Sequence, residues 1–83
     1  MQEKTLEDYL RRLGNQISLY RQHKGLSQEQ LAEETNLDRS FISRIENGKN
    51  VGIKNLIKIC SALHINTSDL FKNIEGNLTN ESK

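Results

Sequence analysis

Apolar residues return at steps of three and four along most of the first 74 positions, the period of helices that each bury one face. Leu6, Tyr9, Leu10, Leu13, Ile17 and Tyr20 form the first stripe. Thr5 with Asp8 three residues later predicts its N-cap, and Gly25 its end, a helix of roughly 19 residues. Gly14 lies inside that pattern and costs ~1 kcal/mol against alanine. A second, shorter pattern begins at Ser27 with Gln30 three residues on, the spacing of a capping box, and Leu26 and Leu31 are placed as a hydrophobic staple. It runs to Thr35 and halts at Asn36, a residue that tolerates the left-handed conformation of a helix stop. Leu37 follows, and then Asp38, a strong N-cap residue, opens a third helix over roughly residues 39–47 with Gly48 as its stop. After the polar loop Lys49-Asn50-Val51-Gly52, a fourth helix is expected from Ile53 to about Leu63, with Leu56, Ile59, Cys60 and Leu63 as its buried stripe. His64 and Ile65 lead to Asn66, an N-cap for a last helix closed by Leu70, Phe71 and Ile74.

The pattern therefore predicts an all-α chain, a five-helix bundle with a helix-turn-helix at its centre, over residues 1–74. Residues 75–83, EGNLTNESK, have no apolar period and are expected to form a disordered C-terminal tail. At 83 residues the chain is one domain, and one this small buries only about 60% of its extended surface, so it gains from oligomerisation. No run approaches 18 apolar residues and the N-terminus carries acids where a signal peptide needs an apolar stretch, so neither membrane span nor leader is expected. The single cysteine, Cys60, in an apolar pattern agrees with a reducing, cytoplasmic setting.

The net charge is only +1, but its distribution is uneven. Between positions 38 and 58, Arg39, Arg44, Lys49, Lys54 and Lys58 face only Asp38 and Glu46, whereas Glu29, Glu33 and Glu34 stand in residues 26–37 without a base. Association with a polyanion depends on the local footprint. The basic stretch coincides with the third helix and the loop after it.

At about 100° per residue, Phe41, Ile42 and Ile45 fall on one side of that helix and Arg39, Ser40, Ser43, Arg44 and Asn47 on the other. The polar side is either an ordinary solvated face or a surface that reads base edges. Arginine can bond bidentately to guanine O6 and N7, serine can donate or accept, and no carboxylate stands among the five to repel phosphate. The capped helix and tight turn before it favour the second reading.

SQEQLAEETNLDRSFISRIENGK resembles the helix-turn-helix of the phage-repressor (Cro-type) DNA-binding proteins. With the flanking helices the likeness covers about residues 13–71. Asn36 stands where that family most often has glycine, and so does His64. Ala32 takes the place of the small residue where the two helices touch, and Leu37, Ile42 and Ile45 those of the core. LDRSFIS followed by IENGKNVGIKNL is most like the small controller proteins of restriction–modification systems. The resemblance implies a sequence-specific transcription regulator that binds double-stranded DNA. Arg39, Ser40, Ser43 and Arg44 are then the base-reading residues, with Arg44 divided between base and phosphate. Gln28, Asn47, Lys49 and Asn50 are the phosphate contacts, although Lys49 and Asn50 also suit a plain surface turn. It also implies that Arg21 and Glu46 form a structural bridge between the first and third helices.

One such domain reads too few base pairs to define an operator, so a homodimer on a palindrome is expected. Ile53 and Ile57 widen the apolar stripe of the fourth helix, as internal packing or as the dimer interface. A controller would regulate its own gene and that of the endonuclease, with RNA polymerase as a further partner. The alternatives are a phage-type or chromosomal repressor and, in another class, an antitoxin or protein-interaction module on the same fold. His23 and His64 stand alone, with no metal-ligand spacing, nucleophile elbow or phosphate loop. No enzyme activity, metal, cofactor or small-molecule ligand is expected.

Overall fold

The computed structural model describes the backbone of residues 3–81 and, within it, the side chains of residues 5–74. It consists of α1 (Glu3–His23), α2 (Gln28–Thr35), α3 (Arg39–Glu46), α4 (Ile53–Leu63) and α5 (Thr67–Glu81), with no strand among the described residues. The capping box at Ser27 is complete: the Gln30 N–H donates to Ser27 Oγ at 3.0 Å, and the Ser27 N–H to Gln30 Oε1 at 2.8 Å. At the other end of α2, Asn36 takes φ 59° and ψ 39°. Leu37 then donates its N–H to the Ala32 carbonyl at 2.9 Å, which turns the chain sharply into α3. His64 closes α4 with the same left-handed turn, φ 58°.

Ile17, Leu31, Ile42, Ile45, Ile59, Leu63, Leu70 and Ile74 are almost wholly buried and make one core. Around it α1 packs on α3 and α5, and α2 on α3 and α4. Thr35 is the one polar side chain in this core among the described residues, and its hydroxyl is satisfied by the Leu31 carbonyl at 2.8 Å. Cys60 is also buried, and desolvation raises its thiol pKa, which disfavours the reactive thiolate.

Local expectations are corrected at Thr5, Leu6 and Asp38. Thr5 does not cap α1, which already runs from Glu3. The glutamate and lysine ahead of Thr5 are good helix formers and let the helix continue upstream. Asp8 instead pairs with Arg11 at 2.8 Å and Arg12 at 2.9 Å. Leu6 is 47% exposed, because this extra turn projects beyond the core that buries Leu13 and Ile17. Asp38 has N-cap geometry but its carboxylate makes no cap hydrogen bond. Its carbonyl takes the Phe41 and Ile42 N–H groups at 3.0 and 3.1 Å, and its charge remains beside the positive end of α3. Downstream, α5 is helical through Glu81, beyond Ile74, and the side chains of the segment expected as a tail lie outside the described residues.

Gly14 is not the defect that its helix propensity suggests. A Cβ there would lie 2.2 Å from the Ile45 carbonyl oxygen and 2.9 Å from the Glu46 carbonyl carbon. The missing side chain is what lets α1 cross α3 at backbone contact. Gly14→Ala therefore gains ~1 kcal/mol of helix propensity but forces two backbones apart, an overpacking cost of about 3 kcal/mol. The expected net loss of about 2 kcal/mol lowers Tm by roughly 10 °C in a chain of this size, readable by circular dichroism; an unchanged or higher Tm would mean the crossing is looser than this.

Candidate nucleic-acid interface

The polar side of α3 is open to solvent. Arg39, Ser40, Arg44 and Asn47 are exposed and Ser43 is half-buried, while Ile42 and Ile45 behind them are 0% and 1% exposed. Anchorage and presentation are thus divided between the two sides of one short helix. Arg39 is its first residue, the position from which a helix entering a major groove meets base edges. The Arg44 guanidinium lies 6.0 Å from the centroid of the Phe41 ring, within cation–π range. Phe41 packs partly against the core, so its ring narrows the positions open to Arg44.

The end of α3 is built from its own polar groups. Asn47 Nδ2 donates to the Ser43 carbonyl at 2.8 Å, and the Lys49 N–H returns to the Arg44 carbonyl at 2.9 Å. Gly48 makes that reversal with φ +103°, a left-handed conformation that glycine takes without a Cβ penalty. Asn50 Oδ1 accepts from the Gly52 N–H at 3.2 Å. Lys49 and Asn50 are both exposed beside the end of α3.

Behind this surface lies an ion pair that α1, α2 and α3 share. Arg21 Nε donates to Glu46 Oε2 at 2.6 Å, and Arg21 Nη2 to Glu46 Oε1 at 3.1 Å. Arg21 Nη1 also bonds the Leu26 carbonyl at 2.8 Å. The two side chains are 12% and 6% exposed, so this is a largely desolvated, bidentate bridge. The family resemblance implies only a phosphate role for Gln28. Here Gln28 Nε2 also donates to Glu46 Oε1 at 3.1 Å, joining the first residue of α2 to the same carboxylate. That third member has no signal in local sequence, because it depends on residues 18 positions apart meeting in space.

No group of three or more His, Cys, Asp or Glu side chains that could hold a metal occurs among the described residues. No helix among them is long and apolar enough to cross a membrane.

A short capped helix, a left-handed turn and a second helix that offers arginines outward and isoleucines inward define a helix-turn-helix DNA-binding domain. Residues 17–70 match the family model described as helix-turn-helix, and the chain belongs to that family. Within it, the chain is similar to the control protein C.MunI of a Mycoplasma species, with 46% identity over 72 residues that cover 84% of this chain and 97% of that protein. Among solved structures, the restriction–modification controller protein C.AhdI of Aeromonas hydrophila superposes with a TM-score of 0.72 at 40% identity, covering 74% of this chain and 94% of that one. The controller protein in the nucleoprotein complex of C.Esp1396I superposes with a TM-score of 0.73 at 36% identity, covering 82% and 90%. The protein is a DNA-binding regulator of the phage-repressor type, close to restriction–modification controllers.

Proposed function

We propose that this protein is a restriction–modification controller that binds a palindromic operator as a homodimer and regulates its own gene and the endonuclease gene. The observation that carries the reading is the α3 surface: its basic, hydrogen-bonding side is exposed while its two isoleucines are buried. The likeness to controller proteins over nearly their whole length supports the regulatory role.

In the proposed complex α3 lies in the major groove. Arg39 bonds a guanine bidentately, Ser40 and Ser43 reach neighbouring edges, and Arg44 serves base or phosphate. Gln28, Asn47, Lys49 and Asn50 hold the backbone and set the register, which by itself carries no sequence information. The dimer places two such helices about 34 Å apart, one turn of the duplex. With control set by protein concentration, low occupancy activates through contact with RNA polymerase and high occupancy represses.

Ile53 and Ile57 are 69% and 55% exposed on α4. Ile57 borders a groove between α2 and α4 lined by Asn36, Lys58 and Ser61. This is the surface proposed for the partner subunit, since burying two isoleucine side chains from each subunit recovers several kcal/mol at about 25 cal/mol per Å². Ile57→Asp is expected to shift sedimentation from dimer to monomer and to weaken operator binding by at least tenfold. A dimer that survives the substitution would place the interface elsewhere.

The DNA reading itself is tested by titrating salt against binding to a random duplex. Phosphate contacts release counterions, so log K is expected to fall steeply and linearly with log salt. A flat response, or no binding at low ionic strength, would contradict it.

A further inference from the structure

We infer that Arg11, on the N-terminal half of α1, is an additional anchor for a DNA phosphate, extending the backbone clamp from the loop after α3 onto the first helix. The inference rests on the reading of the α3 surface as the one that meets DNA. Position 11 lies outside residues 17–70, the part of the chain that the family model matches.

The geometry follows from the close crossing at Gly14. Because α1 and α3 touch there backbone to backbone, the preceding turn of α1 lies against the stop of α3. A Cβ on Gly48 would be 3.4 Å from the Arg11 Cα and 3.7 Å from the Arg11 Cβ. Lys49 is the next residue in the chain, so its Cα lies within about 9 Å of that of Arg11, given standard backbone spacing. Two long cationic side chains thus leave the protein from neighbouring points beside the polar end of α3.

The surrounding charges favour an anion there. Asp8 is shared by two guanidinium groups, Arg11 at 2.8 Å and the half-buried Arg12 at 2.9 Å, so Arg11 does not hold that carboxylate alone. The Arg11 side chain is 69% exposed, and an ion pair this open contributes little. Arg11 can exchange its carboxylate for a phosphate oxygen at small cost. Asp8 then acts as an internal competitor for the duplex. Its carboxyl is held below the ordinary range chiefly by the Arg11 hydrogen bond, so it stays ionised at neutral pH.

The experiment measures log K against log salt for the parent chain, Arg11→Gln and Asp8→Asn, on a random duplex and on a duplex selected by the parent. Arg11→Gln is expected to make the slope shallower by about 0.9 per bound subunit, the value of one phosphate contact. It should weaken both duplexes by the same factor and leave the Tm within a few degrees of the parent. Asp8→Asn is expected to tighten both. A parental slope and affinity in Arg11→Gln would overturn the inference while leaving the DNA reading intact, and so would a loss confined to the selected duplex. A parent chain without salt-dependent binding would overturn both.

Discussion

Arg39→Ala should cost the protein most of its sequence discrimination while leaving most of its affinity for random duplex. Arg39 is the first residue of α3 and is exposed, so its side chain is clear of the contacts that hold the helix in place. A bidentate arginine–guanine contact contributes about 2 kcal/mol of discrimination. In a symmetric dimer that contact occurs twice, so the ratio of operator to random binding is expected to fall by roughly a thousandfold. The thermal midpoint should hardly move. Binding curves on both duplexes check this directly, and equal losses on the two would reassign Arg39 to the phosphate backbone.

Glu46→Ala acts through the opposite mechanism. It leaves the Arg21 guanidinium, now 12% exposed, with only the Leu26 carbonyl, and removes the acceptor of Gln28 as well. Breaking a buried pair from one side costs about 3–5 kcal/mol because an uncompensated charge stays behind. In a chain this small the expected fall in Tm exceeds about 10 °C, measurable by thermal melting. Replacing both partners with apolar residues should cost less than the single change. A loss of less than about 1 kcal/mol in Glu46→Ala would mean that the bridge behaves as a surface pair. Since Glu46 is the last residue of α3 and Arg21 belongs to α1, the substitution is also expected to loosen the reading helix and to weaken binding to every duplex.

Much of this fold can be read from the chain because its signals are local. Ser27 and Gln30 satisfy each other three residues apart, Asn36 and His64 make their turns alone, and the buried and exposed sides of α3 follow from period. What the sequence did not disclose depends on distant residues meeting. Gly14 reads as a flaw in a helix until Ile45 and Glu46 are seen against it. The bond from Gln28 to Glu46 is equally silent in the sequence, because Glu46 arrives from the end of α3. The place of Arg11 beside Gly48 follows from that same crossing and from no pattern within α1. Asp38 is the N-cap residue of α3 as its type suggests, but whether its carboxylate turns back to the helix is a choice among rotamers that the sequence does not reveal.

These observations divide the labour of a small regulator between two layers. A largely buried network of Arg21, Gln28 and Glu46 ties α1, α2 and α3 together, and an outer layer of arginines, serines and lysine stays exposed as the surface proposed to meet the duplex. The most direct test of that account is selection of bound sequences from a random duplex pool by the purified chain. It predicts a palindrome whose half-sites are centred about one helical turn apart, with a guanine whose enrichment disappears in Arg39→Ala. A pool that returns no preferred sequence, or one whose preference is untouched by that substitution, would contradict it.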